Sequence, residues 1–389
     1  MAGFATATWA ALVPYARANT GVNDATLGSL LLCLGIGALI TMPITGALTS
    51  RFGCRKVIIA AVVVIILVLP FLAIITQPLI LGLALLVFGV GVGITDCAMN
   101  IQAILVEKAS PKPLMSGFHG LYSIGGIAGA GLMTLLLACG INVTLATLLI
   151  VLCVVILVAF SFLGLLTYAN PKEGPAFAMP KGIVLLLGII CFSVFLTEGT
   201  VLDWSAVYLT QIRAMPETLG GLGYTSFAVA MTLARLAGDK VVKYFGRLKI
   251  VVAGSIIVAI GLAIVTFIPV WHLSLSGYAL IGAGCANIVP VMFSVVGQQT
   301  VMPQAVAVPA MTTLCYLGVL SGPGVIGYIA HFSSLPVSFF LIMLLMLFVG
   351  ALSFKLNLNR IGSSEGTYLK NSGRYTFTRI PANVMKITF

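Results

Sequence analysis

Long apolar blocks alternate along the chain with short clusters of charge, proline or glycine. Two gaps set the scale: 59 residues between Lys112 and Lys172, and 105 between Lys249 and Lys355, hold no Asp, Glu, Lys or Arg. A membrane-crossing helix takes about 20 apolar residues, so the longer gap alone accommodates about four. The blocks predict spans near 2–17, 25–49, 57–75, 79–105, 114–140, 143–168, 182–208, 220–242, 250–268, 273–298, 305–330 and 335–354. The pattern is that of an all-α polytopic membrane protein with twelve transmembrane helices, the first of them short.

Charge gives this pattern a direction. Seventeen bases, among them Arg51, Arg55, Lys56, Lys112, Lys243, Arg247 and the C-terminal Arg360 to Lys386, fall on one side of the predicted topology. Only Arg17 and Arg213 fall on the other, and Arg235 lies inside a span. The positive-inside rule makes the first side cytoplasmic and puts both termini there, as an even number of helices requires.

The chain also repeats itself. Phe52-Gly53 returns as Phe245-Gly246 and Gly89-x-Gly91 as Gly282-x-Gly284, both after 193 residues, with Tyr122/Tyr316 after 194 and Trp9/Trp204 after 195. A common offset in chain order implies two six-helix, pseudo-symmetric bundles, a layout that places a substrate site near the midplane between the halves. The expected organisation is an N-terminal bundle over 1–168, a cytoplasmic linker over 169–181, a C-terminal bundle over 182–356, and a polar, basic cytoplasmic tail over 357–389. The tail composition predicts disorder, either resting on anionic lipid or as an extension without function. Trp204 follows about 22 residues of its span but Trp9 only eight, so the first helix is expected to be truncated, with the native N-terminus upstream.

Composition excludes other classes. With 60% hydrophobic and 7% charged residues, the chain has far too few charges to cover a soluble surface. Its net charge of +11 reads as topology rather than as a nucleic-acid stripe. The eight cysteines include no Cys-x-x-Cys pair and read as buried small hydrophobes. His119, His272 and His331 are too scattered for a metal site. No phosphate-binding loop, nucleophile elbow or nucleophile–base constellation is visible, so neither an enzyme nor a cofactor is expected.

Between spans two and three stands Gly46-Ala-Leu48-Thr-Ser50-Arg51-Phe52-Gly53-Cys-Arg55-Lys56. Its glycines suit close packing and a tight turn, and its bases suit helix C-termini and lipid phosphate. The segment resembles the loop signature of the major facilitator superfamily, with Ser50 in place of the usual acid. In the second half, Arg235-Leu-Ala-Gly238-Asp239 precedes Phe245-Gly246-Arg247. Arg235 and Asp239 share a helix face and are expected to pair as a gate salt bridge. Further residues resemble a bacterial subgroup, that of the inner membrane protein YbjJ: Asp96-Cys-Ala-Met-Asn100-Ile-Gln102 with Glu107, His119-Gly-Leu-Tyr122-Ser123, Glu198-Gly199-x3-Asp203-Trp204, Asn287-x-x-Pro290 and Tyr316-Leu-Gly318. The resemblance implies a secondary transporter whose two bundles rock about the substrate.

Ionisable groups inside spans cost about 2.5 kcal/mol or more at the centre and are functional candidates by default. Asp96 is about 15 Å deep, with Asn100 one turn away on the same face. Asp96 reads either as a proton-coupling or substrate-binding carboxylate or as a structural hydrogen-bond acceptor. Glu198, in the outer half of span seven, is the other coupling candidate, or else an interhelical clamp. His119 is a relay candidate facing Asn100; Asn287 occupies nearly the place of Asp96 in the other half. Tyr122 and Tyr316 complete the substrate candidates, while Asp203 and Trp204 read as an interfacial anchor. The glycines of spans four, five and eleven suit either sliding or tight packing, and Gly322-Pro323 supplies a candidate hinge. The expected function is proton-coupled transport of a small neutral or weakly polar solute across the bacterial inner membrane by a monomer, with protons and lipid as its partners. The alternatives are drug or metabolite efflux on the same fold, or a transport-inactive sensor or scaffold.

Overall fold

The computed structural model describes residues 1–22, 24–170, 178–216 and 219–356. Most of the linker and the entire 357–389 tail lie outside the described residues. Six helices form the first half: α1 (Ala2–Thr20), α2 (Asp24–Phe52), α3 (Cys54–Leu72), α4 (Pro78–Lys108), α5 (Met115–Ala138) and α6 (Val143–Ser161). The second half contains α7 (Ile183–Val207), α8 (Leu222–Phe245), α9 (Arg247–Phe267), α10 (Trp271–Cys285), α11 (Ile288–Val296), α12 (Gln304–Phe332) and α13 (Leu335–Leu356). Among the described residues ten spans are long and apolar enough to cross a membrane, α10 and α11 together forming one of them. The other two, α1 and α8, fall short because α1 is rich in Ala and Thr and α8 carries Arg235, Asp239, Lys240 and Lys243. The fold is thus twelve spans in two six-helix bundles.

The repeat is visible in the packing. Within the first bundle α1 lies on α5, and α4 on both α2 and α3; within the second, α7 lies on α12, and α10 on both α8 and α9. The bundles meet along two pseudo-equivalent seams, α2–α12 and α5–α8. Gly53 and Gly246, the single residues that separate α2 from α3 and α8 from α9, have nearly the same backbone (φ 81°, ψ 156° and φ 83°, ψ 159°). This left-handed conformation favours glycine, which explains why the Phe-Gly pair recurs. We call the end of the molecule with these junctions the basic end. There Arg55 sends its backbone N–H to Leu166 O (2.7 Å) and its Nε–H to Leu165 O (2.9 Å), fastening the start of α3 to the chain after α6. Arg51 and Lys56 are exposed, with the Arg51 guanidinium over the Phe52 ring.

Span ten differs from the expected continuous helix: it breaks between α10 and α11 at Ala286-Asn287. Pro290 has no N–H, so Ala286 O loses its intrahelical donor, and the helix opens there. The expectation of sliding glycines is also resolved locally. Side chains at Gly89 or Gly129 would meet the backbone of Leu34 or Phe4, so these glycines serve tight contacts inside the first bundle.

Gly53→Ala should lower stability by about 1–3 kcal/mol, through its positive φ and an overlap with the Thr167 carbonyl. Gly131→Ala, whose side chain would meet open space, should be neutral or stabilising by up to about 1 kcal/mol. Thermal unfolding of the two variants in the same detergent checks the difference.

Candidate functional site

The start of α5 leaves its first backbone N–H groups without partners in their own helix. Glu107 Oε2, from the same bundle, accepts from Leu114 N (2.7 Å) and Met115 N (2.8 Å). Asp239, from α8 of the other bundle, accepts from Ser116 N through Oδ1 (3.0 Å) and from Gly117 N through Oδ2 (2.9 Å). Two carboxylates therefore cap one helix start, and one of them reaches across the seam. Negative charge at a helix N-terminus is favourable in both respects, as hydrogen-bond acceptor and against the helix dipole.

Asp239 is consequently not the partner of Arg235. Although four residues apart on one helix, the two side chains diverge, because the α5 amides satisfy the carboxylate and a different set of acceptors holds the arginine. Buried Arg235 donates from Nη1 to Ser123 Oγ across the seam (3.0 Å) and from Nε to Ala286 O (3.3 Å), the carbonyl that Pro290 leaves free. Its Nη2 faces Glu198 Oε1 at 3.5 Å, an ion pair between α8 and α7. Asn287, expected among the substrate residues, instead donates to Ala234 O (3.1 Å). A side chain at Gly238 would overlap the Asn287 amide oxygen and crowd Ser116, so Gly238 makes room for both contacts.

The other seam is closed differently. Gly46 lies so near α12 that any side chain would overlap the Ala305 carbonyl and press on Pro309. Asp239 follows Gly46 by 193 residues and Pro309 follows Ser116 by the same number, so the two contacts are pseudo-equivalent.

Asp96, part-way along α4, is half-buried, and its carboxylate has no hydrogen-bond or ion-pair partner among the described residues. Asn100 donates to the Asp96 main-chain oxygen (2.9 Å) rather than to the carboxylate. Tyr122 from α5 and Tyr316 from α12 lie within electrostatic reach of Asp96, as do Cys97 and Cys315. The sequence-predicted Asp96, Tyr122 and Tyr316 are therefore brought together between the bundles. Asn100, His119 and Tyr122 also border a cavity of about 390 Å³ in the first bundle. The His119 ring packs 5.7 Å from Phe293 of the second bundle, and its Nε2 is buried without a partner.

Two expectations stand apart from this centre. Asp203 is exposed, while Trp204 turns inward, with its ring against Gly327 and its indole N–H buried without a partner. Sequence reasoning missed Ser123 and Glu107 as partners, although both lie in the segments singled out. The available signal for Glu107 was a carboxylate just before a short connection into a helix start.

Two pseudo-symmetric helical bundles that meet at their basic end, with an unpartnered carboxylate at Asp96, form a transporter-like architecture. The profile of the Major Facilitator Superfamily matches residues 1–211. A protein of Yersinia pestis, described as an uncharacterized MFS-type transporter, is 48% identical over 352 residues, 90% of this chain and 92% of its own. Membrane protein MosC of Rhizobium meliloti is 30% identical over 368 residues, 93% of this chain and 89% of its own. The chain belongs to the Major Facilitator Superfamily. Among solved structures, the Escherichia coli fucose:proton symporter FucP has a similar fold (TM-score 0.74, 15% identity, 90% of this chain and 95% of that one). So does a bacterial homologue of the iron transporter ferroportin in an outward-facing state (TM-score 0.66, 13% identity, 91% and 96%).

Replacing Asp239 by Asn should weaken the clasp on α5 by about 1–2 kcal/mol, the difference between charge-assisted and neutral hydrogen bonds. Amide hydrogen exchange at Ser116 and Gly117 should accelerate by roughly five- to thirtyfold, while exchange deep in α4 stays unchanged.

Proposed function

We propose that the chain is a proton-coupled secondary transporter of a small neutral or weakly polar solute, working by alternating access in the bacterial inner membrane. The observation that carries this reading is the unpartnered Asp96 carboxylate, with Tyr122 of one bundle and Tyr316 of the other within its electrostatic reach. A charge inside a membrane span without a compensating partner is costly, and a proton removes that cost. The two tyrosines supply hydroxyls to a polar solute, with Asn100 and His119 beside them. Arg235 and Glu198 cancel each other, so the centre holds no net positive charge to attract an anion. Glu198 protonation would loosen its hold on Arg235 and, through Ser123, the α5–α8 seam.

In this reading the basic end is cytoplasmic, both termini lie there, and the described conformation is closed toward the cytoplasm. The loop charges support that assignment. The Gly46, Arg51, Gly53, Arg55 and Lys56 segment together with Arg235, Gly238, Asp239 and Gly246 forms the cytoplasmic gate. The chain functions as a monomer of two bundles, 1–168 and 182–356, within the YbjJ-like bacterial subgroup. The fold it shares with a fucose:proton symporter is compatible with proton symport.

A solute screen by thermal shift at two pH values, followed by uptake into proteoliposomes under an imposed pH gradient, tests the reading. Asp96→Asn should reduce gradient-driven uptake by about tenfold or more, because an amide cannot take up and release the proton, with thermal stability retained. Gradient-driven uptake that survives in Asp96→Asn would remove Asp96 from the coupling step. A folded protein that carries no solute in either direction would favour the sensor or scaffold reading.

A further inference from the structure

At the basic end, the connection between α4 and α5, the end of α8, the start of α9 and the chain just after α11 line an open cleft of about 520 Å³. Ligand sites commonly span about 300–1,000 Å³. Its walls come from both bundles: Ser110 and Lys112 from the first, Lys243, Arg247 and Gln298 from the second. Lys112, Lys243 and Arg247 form no ion pair among the described residues. Arg247 Nη1 donates to Gln298 Oε1, which fixes the guanidinium at the wall. Pro111 and Pro113 stiffen the opposite side.

The acids nearby are already engaged. Glu107 borders the cavity, but its Oε2 caps Leu114 and Met115. Asp239 caps Ser116 and Gly117. Three cations thus line one open cleft against a single lining carboxylate, Glu107, whose Oε2 is committed to the start of α5. A guanidinium fork beside two ammonium groups suits a tetrahedral oxyanion with several acceptor oxygens. The chain's own 357–389 segment carries five bases against one acid, so its charge opposes that of an occupant.

We propose that this cleft binds a phosphate group, carried by a lipid headgroup or by a soluble phosphate compound, and that binding holds the basic end closed. Because the cations come from both bundles, separation of the bundles divides the site. The ligand therefore binds the closed arrangement more tightly and shifts the population toward it by that difference in affinity. The inference does not depend on Asp96 or on proton coupling.

The test uses the purified full chain in a nonionic detergent. One arm titrates inorganic phosphate against chloride at matched ionic strength; the other adds phosphatidic acid against diacylglycerol of the same acyl chains. The readouts are the unfolding temperature and amide exchange at Ser116–Gly117. A phosphate-bearing ligand should raise the first saturably and slow the second by at least about threefold. Lys112→Gln should weaken the apparent affinity by roughly tenfold, and Lys243→Gln with Arg247→Gln should abolish the response. Lys112 lies in an exposed connection, so its variant carries the test if the double variant does not fold. A response to inorganic phosphate identifies a soluble ligand, and a response to phosphatidic acid alone identifies a lipid. No response beyond the chloride and diacylglycerol controls, or an unchanged response in Lys112→Gln, would overturn the proposal.

Discussion

Backbone N–H groups at a helix start cannot be satisfied by their own helix, and inside a membrane protein water is a poor substitute. The start of α5 meets this constraint with two carboxylates, Glu107 from its own bundle and Asp239 from the opposing one. Much of the closed basic end depends on that division. The half supplied by Glu107 is present in any arrangement of the bundles; the half supplied by Asp239 exists only while they touch. Opening the seam therefore exposes a carboxylate and two amides together, and each must find water before the opening becomes favourable. The same geometry commits Glu107 Oε2 and Asp239 to the start of α5, beside a cleft where Lys112, Lys243 and Arg247 outnumber the one lining acid.

A second constraint comes from proline. Pro290 removes the donor that Ala286 O would have used, and the guanidinium of Arg235 takes its place. The broken span is thus part of how a buried cation is accommodated, since Ala286 O and Ser123 Oγ accept its hydrogen bonds and Glu198 balances its charge. Three helices of one bundle and one of the other converge on this side chain. Asn287 and Gly238 are best understood as parts of the same junction: the amide fixes the break against α8, and the missing side chain lets it approach.

The architecture was legible in the sequence because bilayer thickness imposes a length on every apolar block, and because one repeated Phe-Gly pair fixes the register of the two halves. Gly53 and Gly246 share a backbone conformation that few other residues adopt, which explains why a short match located a long repeat. The site was legible only in part. Asp96, Tyr122 and Tyr316 stood out from depth and from the repeat, and the fold places both tyrosines within electrostatic reach of Asp96. The partners of Arg235 and Asp239 could not, because helical spacing states which side chains share a face and is silent about the competing acceptors on neighbouring helices. Here the amides of α5 and a proline-freed carbonyl, neither of them a side chain, decided both pairings. The inward turn of Trp204 was likewise hidden, since position along a span does not specify rotation about it.

The equivalent points occupied by Gly46 and Asp239 give the molecule an uneven character. One seam is held by fit, a bare backbone pressed to a carbonyl; the other by a charge resting on a helix end. Contact by fit is indifferent to salt and to protons, whereas contact by charge responds to both. If the bundles rock as proposed, the α5–α8 seam would be the latch and the α2–α12 seam the hinge, and the basic end of this nearly symmetric molecule would open from one edge like a door, rather than parting evenly down the middle.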